Sequence, residues 1–248
     1  MKISYHPKYL PFFAIGTGLI GLLLRLWLLQ TGLDGKGLLV ANHPANYLVW
    51  ILSVAVAVCL FFGTWGLRGA PKYSFNFPAF IPGGAGTILA AVGILICTVA
   101  ELAGNPDGFG LLMCIFGFLA AMALVFTGYC RCTGAHPSPI FHTVASIYLL
   151  LRLVWMYRQW SADPQMQDYA FQLLALVCLM LSCHHRSAFD ANMGSRRAYA
   201  GFSLAALYFC IVALPGCDSV AFFLACTAWM GSNLCALTPM PKEPAGED

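Results

Sequence analysis

Charge is what this sequence has least of. Over 248 residues, Asp, Glu, Lys and Arg make up 9% and hydrophobic residues 60%, where a soluble domain carries roughly 25% charge. So few charges cannot cover a water-facing surface, which excludes an ordinary soluble domain. A basic tract is missing too. The thirteen Lys and Arg residues are dispersed and the formal net charge is only +3, so nucleic acid is excluded as a partner. No Asp or Glu falls mid-way along a long apolar run, which argues against a carboxylate proton relay. The P-loop, the G-x-S-x-G elbow and the H-E-x-x-H motif are all absent. Eleven cysteines are present, but most lie inside apolar runs (Cys97, Cys114, Cys178, Cys210), where they pack as small hydrophobes. Cys130 and Cys132 have no second pair at metal-ligand spacing. His184 and His185 are adjacent and cannot face one way on a helix, and His136 and His142 stand alone. No metal, cofactor or catalytic residue is expected, and an enzyme is the least favoured class.

What the sequence does have is long apolar runs, which predict an all-α integral membrane protein, a bundle of eight transmembrane helices in one polytopic domain over residues 1–237. The first run, Leu10 to Thr31, is too long for a cleaved signal and reads as a retained span. The others are expected from Pro44 to about Leu67, Gly84 to Ala103, Pro106 to Cys130, Pro139 to Trp160, Pro164 to about Asn192, Arg197 to Leu214 and Asp218 to Leu237. Several begin at a polar-Pro pair such as Asn105-Pro106 or Ser138-Pro139, because proline's missing N–H costs nothing in a first helical turn. Between the second and third runs, Arg68 to Pro82 combines bases, aromatics and prolines, and is expected to rest at the headgroup level. Residues 238–248 form a short polar tail.

Eight spans put both termini on one side. Nine Lys and Arg residues then fall on that side, two (Lys36 and Arg158) fall opposite, and Arg25 and Arg152 are embedded in apolar runs. The bias places both termini in the cytoplasm of a cell-membrane protein. Leu22-Leu23-Leu24-Arg25-Leu26 recurs as Leu149-Leu150-Leu151-Arg152-Leu153, the seed of a candidate 4+4 direct repeat with halves at 1–133 and 134–237.

The embedded arginines are the residues that cost too much to be incidental, about 2.5–3.5 kcal/mol each at a bilayer centre and less near its edge. Each lies six residues before the last residue of its run, Thr31 or Arg158, so each sits near the outer boundary. Ala14, Gly18, Gly21 and Arg25 share one helical stripe, which turns Arg25 towards a close-packed neighbour. Arg152 shares a stripe with Ala145, Tyr148, Trp155 and Gln159. The expected partners are Glu101 for Arg25, and Gln172 and Asp168 for Arg152 across the turn at Asp163-Pro164. Arg25, Arg152, Tyr148, Trp155, Gln172, Glu101 and Asp168 together describe an outward-facing arginine and aromatic layer able to hold a small molecule with an anionic or hydrogen-bonding group. The function expected is therefore small-molecule binding or transport, with a non-catalytic accessory membrane subunit as the alternative. The partners expected are the lipid bilayer and a small-molecule ligand or membrane protein. Arg186, Arg196 and Arg197 are read as orientation signals that meet anionic headgroups.

Overall fold

The computed structural model describes residues 9–32, 43–67, 72–161, 166–235 and 237. Among them the chain is helical with no strands. The helices are α1 (Leu10–Thr31), α2 (Pro44–Trp65), a single turn α3 (Tyr73–Asn76), α4 (Ile81–Ala103), α5 (Gly108–Thr133), α6 (Pro139–Trp160), α7 (Met166–Asp190), α8 (Arg196–Ala213) and α9 (Val220–Cys235). Five of them, α1, α2, α4, α5 and α6, are long and apolar enough to cross a membrane. Their outer faces carry Leu23, Ile51, Phe62, Ile96 and Leu119, all exposed, as helices bathed in lipid should. The structure is that of a multi-pass helical membrane bundle.

Local chemistry sets the helix ends. Proline occupies the first turn of α1, α2, α4 and α6, where it removes no bond the helix needs. The side chain of His43 caps α2 by accepting from Ala45 N at 3.3 Å. For α5 the stop is Asp107 and not Asn105-Pro106: its Oδ1 accepts from Gly110 N at 2.7 Å, moving the start to Gly108.

The long helices alternate in direction. The end where α1 begins is here called proximal, and the end where it finishes distal. Helices α4 to α9 form a closed ring in chain order, each packed on the next and α9 back on α4, while the α1–α2 hairpin leans on α8. The stripe Ala14, Gly18, Gly21 and Arg25 is the buried face of α1. It presses so close to α8 that a Cβ on Gly21 would stand 2.7 Å from Val212 Cγ2. Helix α8 is buried on nearly every side from Ser203 to Ala213. The two halves of the chain pack differently, since α7 lies against α8 whereas the main neighbours of α4 are α5 and α9.

Candidate functional site

Two polar layers interrupt the apolar interior, one at each end of the ring. The distal layer centres on Arg152. Ring register explains its partner: α4 to α6 run antiparallel in turn, which levels the last turn of α4 with the upper part of α6. Arg152 Nη1 donates to Glu101 Oε1 at 2.7 Å and to the Tyr148 hydroxyl at 3.3 Å. Its Nη2 donates to Ser219 Oγ at 3.2 Å, and the guanidinium lies 4.7 Å from the centre of the Phe222 ring. The Arg152 side chain is 1% exposed and that of Glu101 12%, so the pair lies beneath a surface, not on one.

That surface is a cleft. A cavity of about 490 Å³ lies between Glu101, Asn105, Asp107, Trp155, Arg158 and Gln159. A second cavity of about 200 Å³ shares Glu101, Trp155 and Gln159 with it and reaches Arg152, Trp160, Asp218 and Ser219. Ligand pockets run from about 300 to 1,000 Å³, so the larger cavity falls within that range. Its bases are neutralised: Arg152 by Glu101, and Arg158 by Asp107, whose charged atoms lie 3.8 Å apart on the exposed rim. With Asp218 added, carboxylates outnumber bases among the described residues around the two cavities. At the floor, Glu101 Oε2 and Arg152 Nε make no hydrogen bond among the described residues.

The structure therefore redistributes the expected layer. Arg152, Glu101, Tyr148 and Trp155 come together. Glu101 pairs with Arg152, and the expected pairing with Arg25 is corrected. Arg25 is buried and places its guanidinium 5.1 Å from the Phe171 ring of α7. Gln172 does not meet Arg152 either: its Nε2 donates to Gly216 O at 3.2 Å. Arg25 and Gln172 thus flank the α8–α9 connection, whose Gly216 and Ser219 meet Gln172 and Arg152 respectively. The Asp168 side chain and Asp34 lie outside the described residues.

The proximal layer joins Arg186 and Asp190, one turn apart on α7, to His142, whose part was not expected. His142 Nδ1 and Asp190 Oδ2 are 2.6 Å apart, both buried, and Arg186 Nε lies 3.8 Å from Asp190 Oδ1. The Arg186 guanidinium sits 3.3 Å from the Phe77 ring centre, with Arg131 at 5.0 Å from the same ring. Arg131 Nη1 donates to Pro78 O at 2.5 Å. The reading of Arg186 as a headgroup contact is corrected, because Arg131, Arg186 and Arg196 are all buried. The described part of 68–82 lies at the proximal end of the bundle, with Lys72, Ser74 and Ala79 exposed. Tyr73 and Phe77 are buried in the bundle, and the turn α3 roofs the ring. Tyr73 N donates to Asn192 Oδ1 at 3.0 Å to tie that roof to the end of α7. Burial pushes the Tyr73 phenol up, with Arg186 pulling it back, so it stays protonated. A register signal was present: a hairpin turning near Asp163-Pro164 levels His142 with the last turns of α7. The void beside Arg186, Tyr199 and Asn233 holds only about 10 Å³, room for about one water. Among the described residues this layer is a clasp, with His142, Arg131 and Arg186 tying α3, α5, α6 and α7 together.

The chain matches no family model, and neither a curated protein nor a solved structure is significantly similar to it.

Proposed function

We propose that this is a membrane protein that binds a small organic molecule in its distal cleft, in the manner of the substrate site of a transporter. The observation that carries the reading is the Arg152–Glu101 pair at the floor of an open, tryptophan-walled cleft. The pair borders both cavities through the Glu101 side chain, which is 12% exposed and so offers a charged partner to a polar ligand group. The excess of carboxylates, and the prior claim of Glu101 on Arg152, shift the ligand class from the anion that the sequence suggested to a cation or a hydrogen-bonding neutral molecule. Trp155, which lines both cavities, supplies the kind of ring face such a cation prefers.

In this reading all eight long helices cross the cell membrane, both termini are cytoplasmic and the cleft faces outward. The nine-to-two distribution of Lys and Arg supports that orientation. Helices α7 and α8 are less apolar than the other spans because their polar residues, Gln172, Ser182, Arg186 and Ser203 among them, are turned into the bundle and not towards lipid. A non-catalytic accessory subunit is the second reading. It is favoured by the packed interior between the layers, where Leu124, Leu176, Leu179 and Leu207 are fully buried.

Tryptophan fluorescence of the purified protein separates the two. Benzyltrimethylammonium should bind at least ten times more tightly than benzoate, a difference of about 1.4 kcal/mol. Trp155→Ala should abolish that binding while leaving the unfolding temperature in place. Equal response to both probes, or none, would favour the accessory reading.

A further inference from the structure

Away from both polar layers, a groove of about 450 Å³ runs between α2 and α8, with Cys178 of α7 beside it. It exists because α8 presents Ala198, Gly201 and Ala205 to α2, a stripe of small residues at i, i+3 and i+7. Further along, α2 is tied to α8 where Ser53 Oγ and the Tyr208 hydroxyl are 3.0 Å apart. On α8 the groove extends from Ser195 to Phe209, about 21 Å at 1.5 Å per residue. One leaflet of a bilayer core is about 15 Å deep, so the groove is as long as a leaflet with its headgroup edge.

The two ends differ. At the inner end the lining is Phe209 and Ala205. At the proximal end stand Ser195 and Arg197, the guanidinium resting 3.8 Å from the Trp65 ring centre and 5.0 Å from that of Phe61. No carboxylate among the described residues pairs with Arg197; the ion pairs there are His142–Asp190, Arg152–Glu101, Arg158–Asp107 and Arg186–Asp190. We infer that this groove is a binding site for a single phospholipid with an anionic headgroup, one acyl chain lying along α8 and the phosphate on Arg197. The charge of the site and its length both point to that occupant, and neither depends on the distal cleft.

The test can fill the groove without disturbing the fold. A Cβ on Gly201 would meet only Thr64 Oγ1, at 3.6 Å, so Gly201→Leu projects into the groove; Ala205→Leu serves as a second such variant. Delipidated protein would be exposed to vesicles of phosphatidylcholine with or without phosphatidylglycerol of matched chains, and retained lipid counted by native mass spectrometry. The wild type should retain one phosphatidylglycerol per chain, at least tenfold in preference to phosphatidylcholine. Gly201→Leu should lose it with an unchanged unfolding temperature in detergent, and Arg197→Gln should lose the preference between headgroups. Retention undiminished in both filled variants would overturn the inference. So would equal retention of the two lipids by the wild type, or a dimer that Gly201→Leu dissolves.

Discussion

Arg152 illustrates how a single residue declares itself in an apolar sequence while hiding its partner. A guanidinium in an apolar run has to be satisfied, so its burial and inward direction were legible. Which carboxylate satisfies it depends on the neighbours of α6 in the ring, and these are set by packing between helices distant in sequence. The Gln172 expectation followed the sequence-adjacent hairpin and missed the other neighbour, α5, with α4 beyond it. His142 was missed for the opposite reason. It looked isolated, although the hairpin register that misled about Arg152 would have levelled it with the end of α7. The pair it forms with Asp190 gives a residue-scale prediction. His142→Ala leaves a fully buried carboxylate with only the 3.8 Å approach of Arg186. It should lower stability by about 3 kcal/mol, read as the shift in detergent-solubilised thermal unfolding. A variant as stable as the wild type would show that the proximal clasp contributes nothing.

At the scale of elements, the helices were legible almost to the residue where proline or a capping side chain sets the boundary. Helices α1 and α6 have the expected limits. The burial of Tyr73 and Phe77 before α4 was not, because aromatics that suit a headgroup zone can also stack on buried arginines, and only packing brings Phe77 under Arg186. Close approach between elements makes its own prediction. Helices α4 and α9 are so near that a Cβ on Gly93 would stand 2.5 Å from Ala225 Cβ. Gly93→Ala should therefore cost about 1–3 kcal/mol by overpacking. Gly16→Ala, where a Cβ meets nothing within 4 Å, should leave thermal unfolding unchanged. Equal effects of the two would mean that α4 and α9 are not in this contact.

Among the described residues the molecule is a six-helix ring with α1 and α2 leaning on α8, roofed at the proximal end by α3 and carrying a cleft at the distal end. Helix number and alternation could be read from runs and breaks. The ring could not, since closure of α9 on α4 is a contact across most of the chain. Orientation remains a whole-molecule prediction: reporters fused after residue 237 and inserted at residues 162–165 should give opposite sidedness, with the C-terminal fusion cytoplasmic. The same sidedness at both points would contradict the alternation of α6 to α9.

The central claim is that Arg152 and Glu101 form the floor of a binding site and are not only a strut. Removing one partner of a buried pair costs about 3–5 kcal/mol, whereas replacing both with neutral groups of similar size is often neutral or stabilising. Arg152→Met alone should therefore lower the unfolding temperature, and Arg152→Met with Glu101→Gln should restore it. The decisive measurement is the affinity of benzyltrimethylammonium for that double variant, by tryptophan fluorescence on folded protein. The account predicts that wild-type stability returns and binding does not; a folded double variant that binds the probe as the wild type does would contradict it.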